Sequence, residues 1–165
     1  MRKTVLITGV SGGIGKELAD RFARDGYEMV LVARSEAKIL ELATHYQMTY
    51  GVGVTVIAKD IAAPGVPQEI FEELRQKKIQ VDYLINNAGF GLFGPFVETD
   101  LEQETNMIDV NIKALTIMTK LFLPYGTAES GGRHECLLDG RLFPGTVDVG
   151  LSCDESIRPV VHGSP

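Results

Sequence analysis

Short apolar runs alternate with helical patterns through the first 125 residues of the chain, and this alternation limits the fold more than any other feature of the sequence. Short, continuous apolar runs fit strands that are buried on both faces, as in a parallel sheet with helices on each side. The alternation therefore predicts an α/β domain built on a doubly wound parallel sheet.

The predicted elements follow one another without an internal repeat. The four predicted strands are Thr4–Thr8, Glu28–Ala33, Val54–Lys59 and Val81–Asn86. The four predicted helical regions are Ile14–Asp25, Ser35–Tyr46, Pro67–Lys77 and Asp100–Leu123, the last in one or two pieces. We expect Gly26 to end the first helix, Ser35 to cap the second and Pro124 to end the last.

Residues 126–165 lose this pattern. They are rich in glycine and proline, they hold both cysteines, and no run of period 2 or 3.6 extends beyond a few residues. Cys136 and Cys153 with His134 and His162 match no zinc-ligand spacing, so no metal site is predicted. The sequence predicts an ordered domain over residues 1–125 and an irregular tail over 126–165.

The charge of the chain limits its partners. The formal net charge is −6, the isoelectric point is near 5.1, and lysine and arginine form no cluster. These properties argue against nucleic acid or an anionic membrane as the main partner. The N-terminal apolar run is broken by Thr8 and Gly9 and lacks a small-residue cleavage site, so it fits a buried strand better than a signal peptide. We expect a cytoplasmic protein.

The sequence "TGVSGGIG" (Thr8–Gly15) lies between the first strand and the first helix. Glycines there permit a tight turn and let backbone N–H groups at the helix N-terminus approach a pyrophosphate. The candidate cofactor-binding residues of this turn are Gly9, Ser11, Gly13, Ile14 and Gly15. An alternative is that the glycines serve the turn alone.

Arg34 follows the second strand, where dinucleotide-binding folds face the adenosine ribose. An acidic residue at this place suits a free 2′-hydroxyl, whereas a guanidinium suits a 2′-phosphate. Arg34 therefore favours NADP(H) over NAD(H). The alternative is a solvated residue at the start of a helix.

Three more motifs follow in chain order: Asp60-Ile61 after the third strand, "NNAG" (Asn86–Gly89) at the end of the fourth, and "VNIKA" (Val110–Ala114) inside the last helical region. Together with the glycine turn, these motifs resemble the short-chain dehydrogenase/reductase family over about the first 125 residues. The resemblance implies a Rossmann-like fold and hydride transfer between the nicotinamide of NADP(H) and a carbonyl or alcohol of a small molecule.

The resemblance also implies roles for individual residues. In the family the pair that matches Asp60-Ile61 lies against the adenine, the "NNAG" motif lines the cofactor site, and the helix asparagine holds a water of the proton relay. The cofactor-binding candidates that the resemblance adds are Asp60, Ile61, Asn87, Ala88, Gly89 and Val110. Asn111 is the matching catalytic candidate.

The other acid–base groups of the family are missing. The family uses a serine, a tyrosine about 13 residues later and a lysine four residues after the tyrosine, which lowers the pKa of the tyrosine. Here Tyr125 is followed by "GTAE", and no lysine occurs after Lys120. As written, the chain is expected to lack carbonyl reduction while keeping weak NADP(H) binding.

A shifted reading frame explains the loss of pattern after Tyr125. When the frame is moved one base downstream, the fixed bases permit a serine at the position of Leu138, a tyrosine at that of Leu151 and a lysine at that of Glu155. The separations are then 13 and four residues, as the family requires. We therefore hypothesise that residues 126–165 are an out-of-frame tail on a truncated family member. The alternative is a natural, lineage-specific C-terminus.

Truncation has expected consequences for the fold. The fourth strand would become an exposed edge of the sheet. The last helix would keep an apolar face without its usual neighbour, formed by Ile112, Leu115, Met118 and Phe122. Family members form dimers and tetramers, which are doubtful for this chain. A non-catalytic nucleotide-binding module and a misfolded fragment without function are the alternatives to an oxidoreductase by descent.

Overall fold

The computed structural model describes residues 2–122 and the strand Glu135–Leu138 of the 165-residue chain. The other residues of the predicted tail, including Leu151 and Glu155, lie outside the described residues. The expected end of order near Tyr125 lies outside them too, and both expectations stay predictions.

The described elements alternate as the apolar pattern predicts. The strands are β1 Thr4–Thr8, β2 Glu28–Ala33, β3 Val54–Ala58, β4 Tyr83–Asn86 and β5 Glu135–Leu138. The helices are α1 Gly13–Arg24, α2 Glu36–Tyr50, α3 Val66–Gln76, α4 Leu101–Ile108 and α5 Leu115–Phe122, with a π-helical segment Asp109–Ala114 between α4 and α5.

The strands form one parallel sheet in the order β3-β2-β1-β4-β5. The chain moves outward in one direction from β1 to β3 and then returns to the other side of β1 for β4. In open parallel sheets, ligands bind outside the carboxyl ends of the strands at such a change of direction. The topology therefore places the candidate site between the ends of β1 and β4.

Alternate residues of β1 pack on opposite faces of the sheet. Val5 and Ile7 are fully buried in one core cluster with residues of α1 and α2. Leu6, between them, is buried in a second cluster with residues of α3, the π-helical segment and α5. Helices cover both faces, which confirms the predicted doubly wound architecture.

Glycines end the first two helices. Gly26 follows α1 in the left-handed region with φ 83°, as predicted. The prediction that α2 ends at Tyr46 is wrong: α2 continues to Tyr50, and Gly51 follows it with φ 62°. Ser35 occupies the predicted N-cap position, but its side chain makes no capping hydrogen bond.

The last helical region is interrupted by the π-helical segment, and the expectation that its apolar face lacks a neighbour is wrong for Met118 and Phe122, which pack in the second core cluster. Ile112 is 45 % exposed, whereas Ala114, Met118 and Phe122 are buried. A π-turn adds a residue to the helical turn, which rotates the side chains that follow. The 3.6-residue spacing therefore assigned Ile112 to the wrong face.

The expectation that β4 forms the edge of the sheet is corrected by β5. The backbone of Glu135–Leu138 pairs in parallel with β4, in register from Tyr83↔Glu135 to Asn86↔Leu138. Strand pairing satisfies backbone groups whatever the side chains are, and four residues are too few to show a period-2 pattern.

Two features are absent from the described residues. No described helix combines the length and apolar character needed to cross a membrane. In the same part of the chain, His, Cys, Asp and Glu side chains form no group of three that could hold a metal ion.

Candidate functional site

Thr8, the last residue of β1, joins the ends of two neighbouring strands. Thr8 is 1 % exposed, and its hydroxyl accepts hydrogen bonds from the N–H groups of Asn87 at 3.1 Å and Ala88 at 3.0 Å. The same hydroxyl donates to the carbonyl oxygen of Ile85 at 3.3 Å. Sequence reasoning placed Thr8 at the strand end and at the start of the glycine motif but gave its side chain no role, although a hydroxyl after an apolar run was the available signal.

The Asn87 side chain makes the return connection. Its Nδ2 donates to the carbonyl oxygens of Thr8 at 3.0 Å and Gly9 at 3.2 Å. The amide therefore lies beneath the start of the glycine turn and ties it to β4. This geometry brings the first and fourth predicted motifs, the glycine turn and "NNAG", into direct contact.

Two glycines of the turn are required by this contact. A Cβ atom at Gly9 would lie 2.8 Å from Ala88 Cα, and the φ of Gly9 is +73°. A Cβ atom at Gly15 would lie 2.4 Å from both Asn87 Nδ2 and the carbonyl oxygen of Gly9. Other atoms already occupy the space beside both glycines, so no larger side chain fits at either position.

The outer side of the turn is open. Ser11 and Gly13 are exposed, Ile14 is 46 % exposed, and a Cβ atom at Gly13 would meet nothing within 4 Å. The turn thus has a floor filled by the protein and an upper side on which a ligand can lie.

The N-terminus of α1 carries no neutralising group. Its N-cap residue is Gly12, which has no side chain to accept from the helix N–H groups, and its first turn contains no acidic residue. The uncapped N–H groups and the helix dipole therefore favour an anion at this end.

Arg34 lies directly after β2 and is exposed. Within the part of the chain that the structure describes, its guanidinium takes part in no ion pair or side-chain hydrogen bond. A guanidinium without an internal partner is available to a phosphate on a ligand.

Asp60 and Ile61 follow β3, and the structure gives them different environments. Asp60 Oδ1 accepts from the N–H of Ala62 at 3.0 Å, which fixes the carboxylate at the turn. Ile61 is 9 % exposed and packs in the core. Because the Ile61 side chain is in the core, the prediction that Ile61 contacts a cofactor applies to its backbone.

Asn111 holds the loop that follows β4. Its Nδ2 donates to the carbonyl oxygen of Phe90 at 2.8 Å, and its Oδ1 accepts from the Phe90 N–H at 3.1 Å. A Cβ atom at Gly89 would lie 3.0 Å from Asn111 Oδ1, so the loop fits closely over the amide. Asn111 lies in the π-helical segment, a feature frequent at functional sites.

The structure places the predicted residues in two groups at the carboxyl edge of the sheet. The first group surrounds the ends of β1 and β4 and contains the glycine turn, Asn87, Ala88, Gly89 and Asn111, with Val110 buried beside it at 9 % exposure. The second contains Arg34 and Asp60, after β2 and β3. The roles of these residues toward a cofactor stay predictions.

Comparison with known proteins agrees with this geometry. The family model described as short chain dehydrogenase matches residues 3–133. An uncharacterized oxidoreductase of Staphylococcus saprophyticus is 33% identical over 130 residues, which make up 79% of this chain and 56% of the relative.

Solved structures share the fold. A short-chain dehydrogenase from Sphingobium yanoikuyae in complex with NADPH gives a TM-score of 0.69 at 38% identity and covers 74% of this chain and 47% of that chain. An alcohol dehydrogenase from the archaeon Thermococcus sibiricus, complexed with 5-hydroxy-NADP, gives a TM-score of 0.75 at 31% identity and covers 82% of this chain and 57% of that chain.

The chain spans about half the length of the curated relatives it matches. Over most of its own length, however, it matches both the family model and relatives above 30% identity. This chain therefore belongs to the short-chain dehydrogenase family.

Proposed function

We propose that the described domain binds NADP(H) at the carboxyl edge of β1 and β4. The observation that carries this proposal is the glycine turn, with Asn87 filling its floor and its upper side open above an uncapped helix N-terminus. In this arrangement the pyrophosphate lies on the first turn of α1, where backbone N–H groups and the helix dipole favour an anion.

The remaining parts of the cofactor are assigned from the same edge. Arg34 binds the 2′-phosphate, Asp60 and the backbone of Ile61 lie against the adenine, and Gly89 and Val110 line the path to the nicotinamide. The preference for NADP(H) over NAD(H) depends on the free guanidinium of Arg34. The NADPH and 5-hydroxy-NADP complexes of the two structural relatives support it.

From the family to which the chain belongs, we propose that its ancestral activity is the oxidation or reduction of a small-molecule carbonyl or alcohol in the cytoplasm. The bound cofactor would supply the hydride, and the protein would supply orientation and proton transfer. Asn111 holds the Phe90 loop and is the relay candidate. Because the printed sequence has no Tyr-x-x-x-Lys motif, we propose that this chain binds cofactor without turnover.

We also propose that residues 126–165 are read out of frame. The shifted reading permits serine, tyrosine and lysine at the required separations, as described above. The backbone supports it at one position: Leu138, where the shifted frame permits the serine, lies in β5 in register with Asn86. Position 138 is thus at the same edge of the sheet as the glycine turn.

Cofactor binding is tested by titration of the full chain with NADPH and with NADH. The chain contains no tryptophan, so cofactor emission is a cleaner signal than protein emission. We expect saturable NADPH binding that is tighter than NADH binding, with the difference removed by Arg34→Ala. Absence of saturation, or equal affinity for the two cofactors, would contradict the proposal.

Catalysis is tested by following NADPH absorbance with a set of ketones and aldehydes. We expect no turnover above a control without protein. Turnover by this chain that is lost in the Asn111→Ala variant would show that the chain is an enzyme and would contradict the proposal. The coding DNA around the Tyr125 codon tests the frame: a downstream frame without Tyr-x-x-x-Lys, or one that stops before it, would overturn that part.

A second candidate function is a nucleotide-binding module that lacks catalysis in the shifted frame as well. The intact floor of the glycine turn and the absence of any lysine after Lys120 favour it. Expression of a gene in which a one-base change restores the shifted frame distinguishes the two candidate functions. A restored chain that reduces carbonyls supports descent from an oxidoreductase, whereas one that binds NADPH without turnover supports the module.

A further inference from the structure

A small apolar cleft lies at the edge of the sheet opposite the glycine turn. It is bounded by the end of α3, by the residues that lead from α3 into β4 and by the end of α5, and its volume is about 180 Å³. We call it the α3–α5 cleft; its apolar lining consists of Phe71, Leu74, Ile79, Val81 and Phe122. The cleft lies where β4 begins, whereas the glycine turn lies where β1 ends, so it is separate from the proposed cofactor site.

Packed side chains set the size of the cleft. Leu74, Val81 and Phe122 are buried, and the rings of Phe71 and Phe122 meet edge to face with their centroids 5.3 Å apart. The volume of the cleft is close to that of an engineered apolar cavity of about 150 Å³ that holds benzene. The α3–α5 cleft therefore has room for an apolar group of about six carbon atoms.

The polar part of the lining is positively charged. It consists of the exposed residues Arg75, Lys78 and Gln80, and no aspartate or glutamate is among the described residues that line the cleft. Arg75 Nη2 pairs with Glu72 Oε2 at 2.9 Å, which leaves other N–H groups of the guanidinium able to donate. The Lys78 side chain makes no ion pair or hydrogen bond with another described residue. The cleft thus combines an apolar floor with two cations, in a chain whose net charge is −6.

Lys78 has a backbone conformation that does not suit lysine. Its φ is 55°, and among the described residues it is the only one other than glycine with a positive φ. The Lys78 N–H donates to the Arg75 carbonyl at 3.1 Å, and the next N–H, that of Ile79, donates to the Leu74 carbonyl at 2.9 Å. Glycine would adopt this conformation without strain, and strained residues cluster at ligand sites. The strain therefore indicates a role for the Lys78 side chain beside the cleft.

We propose that the α3–α5 cleft binds a small amphiphilic carboxylate, an aliphatic acid of about six carbon atoms. Its tail occupies the apolar lining, and its carboxylate accepts hydrogen bonds from Lys78, with Arg75 and Gln80 as further donors. Charge complementarity favours this occupant, because the cations of the lining have no carboxylate beside them in the cleft. The other possible occupants, residues 123–134 of the same chain and a second copy of it, are outcomes of the test.

Binding is tested by adding sodium hexanoate to the full chain and following the methyl signals of Leu74, Ile79 and Val81 by NMR. We expect saturable shifts with a dissociation constant of about 1 mM, a reasonable affinity for so small a ligand. Acetate has the same charge but no tail, so it should bind at least about tenfold more weakly. Absence of saturable shifts with about 20 mM hexanoate, as expected if the chain itself or a second copy fills the cleft, would overturn the proposal.

Lys78→Gly tests the contact with the carboxylate in a variant that keeps the fold, because glycine suits the left-handed conformation at this position. We expect it to weaken hexanoate binding about three- to fivefold, the effect of a partly exposed ion pair. It should leave the binding of 1-hexanol unchanged, since that ligand has the same tail without the charge. Lys78→Arg, which keeps the cation, should retain hexanoate affinity.

Lys77→Ala is the matched control. Lys77 precedes Lys78, but its Nζ pairs with Glu73 Oε1 at 2.8 Å and it does not line the cleft. Its substitution should leave hexanoate affinity unchanged. Equal losses in Lys77→Ala and Lys78→Gly, or equal weakening of hexanoate and 1-hexanol by Lys78→Gly, would overturn the proposal.

The place of binding is tested with NADPH. Because the cleft and the glycine turn lie at opposite edges of the sheet, NADPH should not displace hexanoate. Competition between the two ligands would show that hexanoate occupies the anion site at the start of α1, and it would overturn the proposal. A chain that binds hexanoate in the cleft but does not bind NADPH would support this proposal and overturn the proposed function alone.

Discussion

Thr8 and Asn87 bind each other across the gap between β1 and β4. The Asn87 N–H donates to Thr8 Oγ1 at 3.1 Å, and Asn87 Nδ2 donates to the Thr8 carbonyl oxygen at 3.0 Å. Thr8 ends β1, and Asn87 directly follows the adjacent parallel strand β4. The pair therefore builds the floor of the glycine turn from the protein itself, without a ligand.

Replacing the Thr8 hydroxyl should destabilise the domain. Thr8→Val keeps the shape but leaves the Ala88 N–H without its acceptor and removes one of the two acceptors of the Asn87 N–H, which also donates to the Ile85 carbonyl at 3.0 Å. We expect the free energy of unfolding to fall by about 2 kcal/mol, measured by urea denaturation. Thr8→Ser keeps the hydroxyl and should have a smaller effect; equal losses for the two variants would argue against the hydrogen bonds as the cause.

The glycine turn should tolerate a methyl group at one position and reject it at another. A Cβ atom at Gly15 would lie 2.4 Å from Asn87 Nδ2 and from the backbone of Gly9, so Gly15→Ala should lower the free energy of unfolding by about 2–3 kcal/mol. Gly12 has φ 171° and open space around it, so Gly12→Ala should cost less than about 1 kcal/mol. Thermal unfolding of both variants checks the order.

Sequence reasoning located the regular elements where side chains alone decide them. The predicted bounds of β1 and β2 equal the observed ones because buried parallel strands are continuous apolar runs with polar residues at their ends. The end of α2 was missed because the pattern of apolar residues weakens after Tyr46. The actual terminator is Gly51, whose left-handed conformation stops the helix.

The parts that could not be predicted depend on contacts distant in sequence. Thr8 acts on residues 79 and 80 positions away, and nothing near Thr8 in the sequence reveals them. The π-helical segment changes which residues face the core without changing the order of apolar residues, so Ile112 was misplaced. Asn111 was identified by resemblance, but its two hydrogen bonds to the Phe90 backbone became visible only in three dimensions.

Acid should weaken the contribution of Asp20 to stability. Its pKa in the folded protein is lowered, because hydrogen bonds from Lys16 and Tyr46 outweigh the effect of burial. A carboxylate of this kind stabilises the fold above its unfolded pKa of about 4, and the contribution is lost as the pH falls through the folded pKa. The difference in unfolding free energy between wild type and Asp20→Asn should therefore shrink as the pH is lowered from about 5 to below 4.

Asp25→Asn is the matched control for that measurement. Asp25 lies at the end of the same helix and pairs with Arg21, but the two side chains are 46% and 72% exposed. An exposed pair contributes little, so the substitution should change stability by less than about 1 kcal/mol at any of these pH values. A difference for Asp20→Asn that stays constant with pH would contradict the assignment.

Glycine at position 78 should stabilise the domain. Lys78 follows α3 with φ 55°, and the N–H groups of Lys78 and Ile79 donate to the carbonyls of Arg75 and Leu74. This is the helix end at which glycine is preferred, because the left-handed conformation strains any other L-residue. We expect Lys78→Gly to raise the free energy of unfolding by about 0.5–1 kcal/mol after the entropic penalty of glycine. Lys77→Gly, at a right-handed position, should lower it.

Exposed aromatic residues after β4 should make the purified chain self-associate. Phe93 and Phe96 are 106% and 82% exposed, and Val97 and Leu101 beside them are 89% and 72% exposed. Apolar groups clustered in one surface segment favour contact with other apolar surfaces, including those of other copies. Sedimentation velocity over a range of concentrations should show less association for Phe93→Ser/Phe96→Ser than for wild type. Met48→Ser is the control, since Met48 is 83% exposed on α2, and an equal reduction by that variant would show that the aromatic segment has no special part in association.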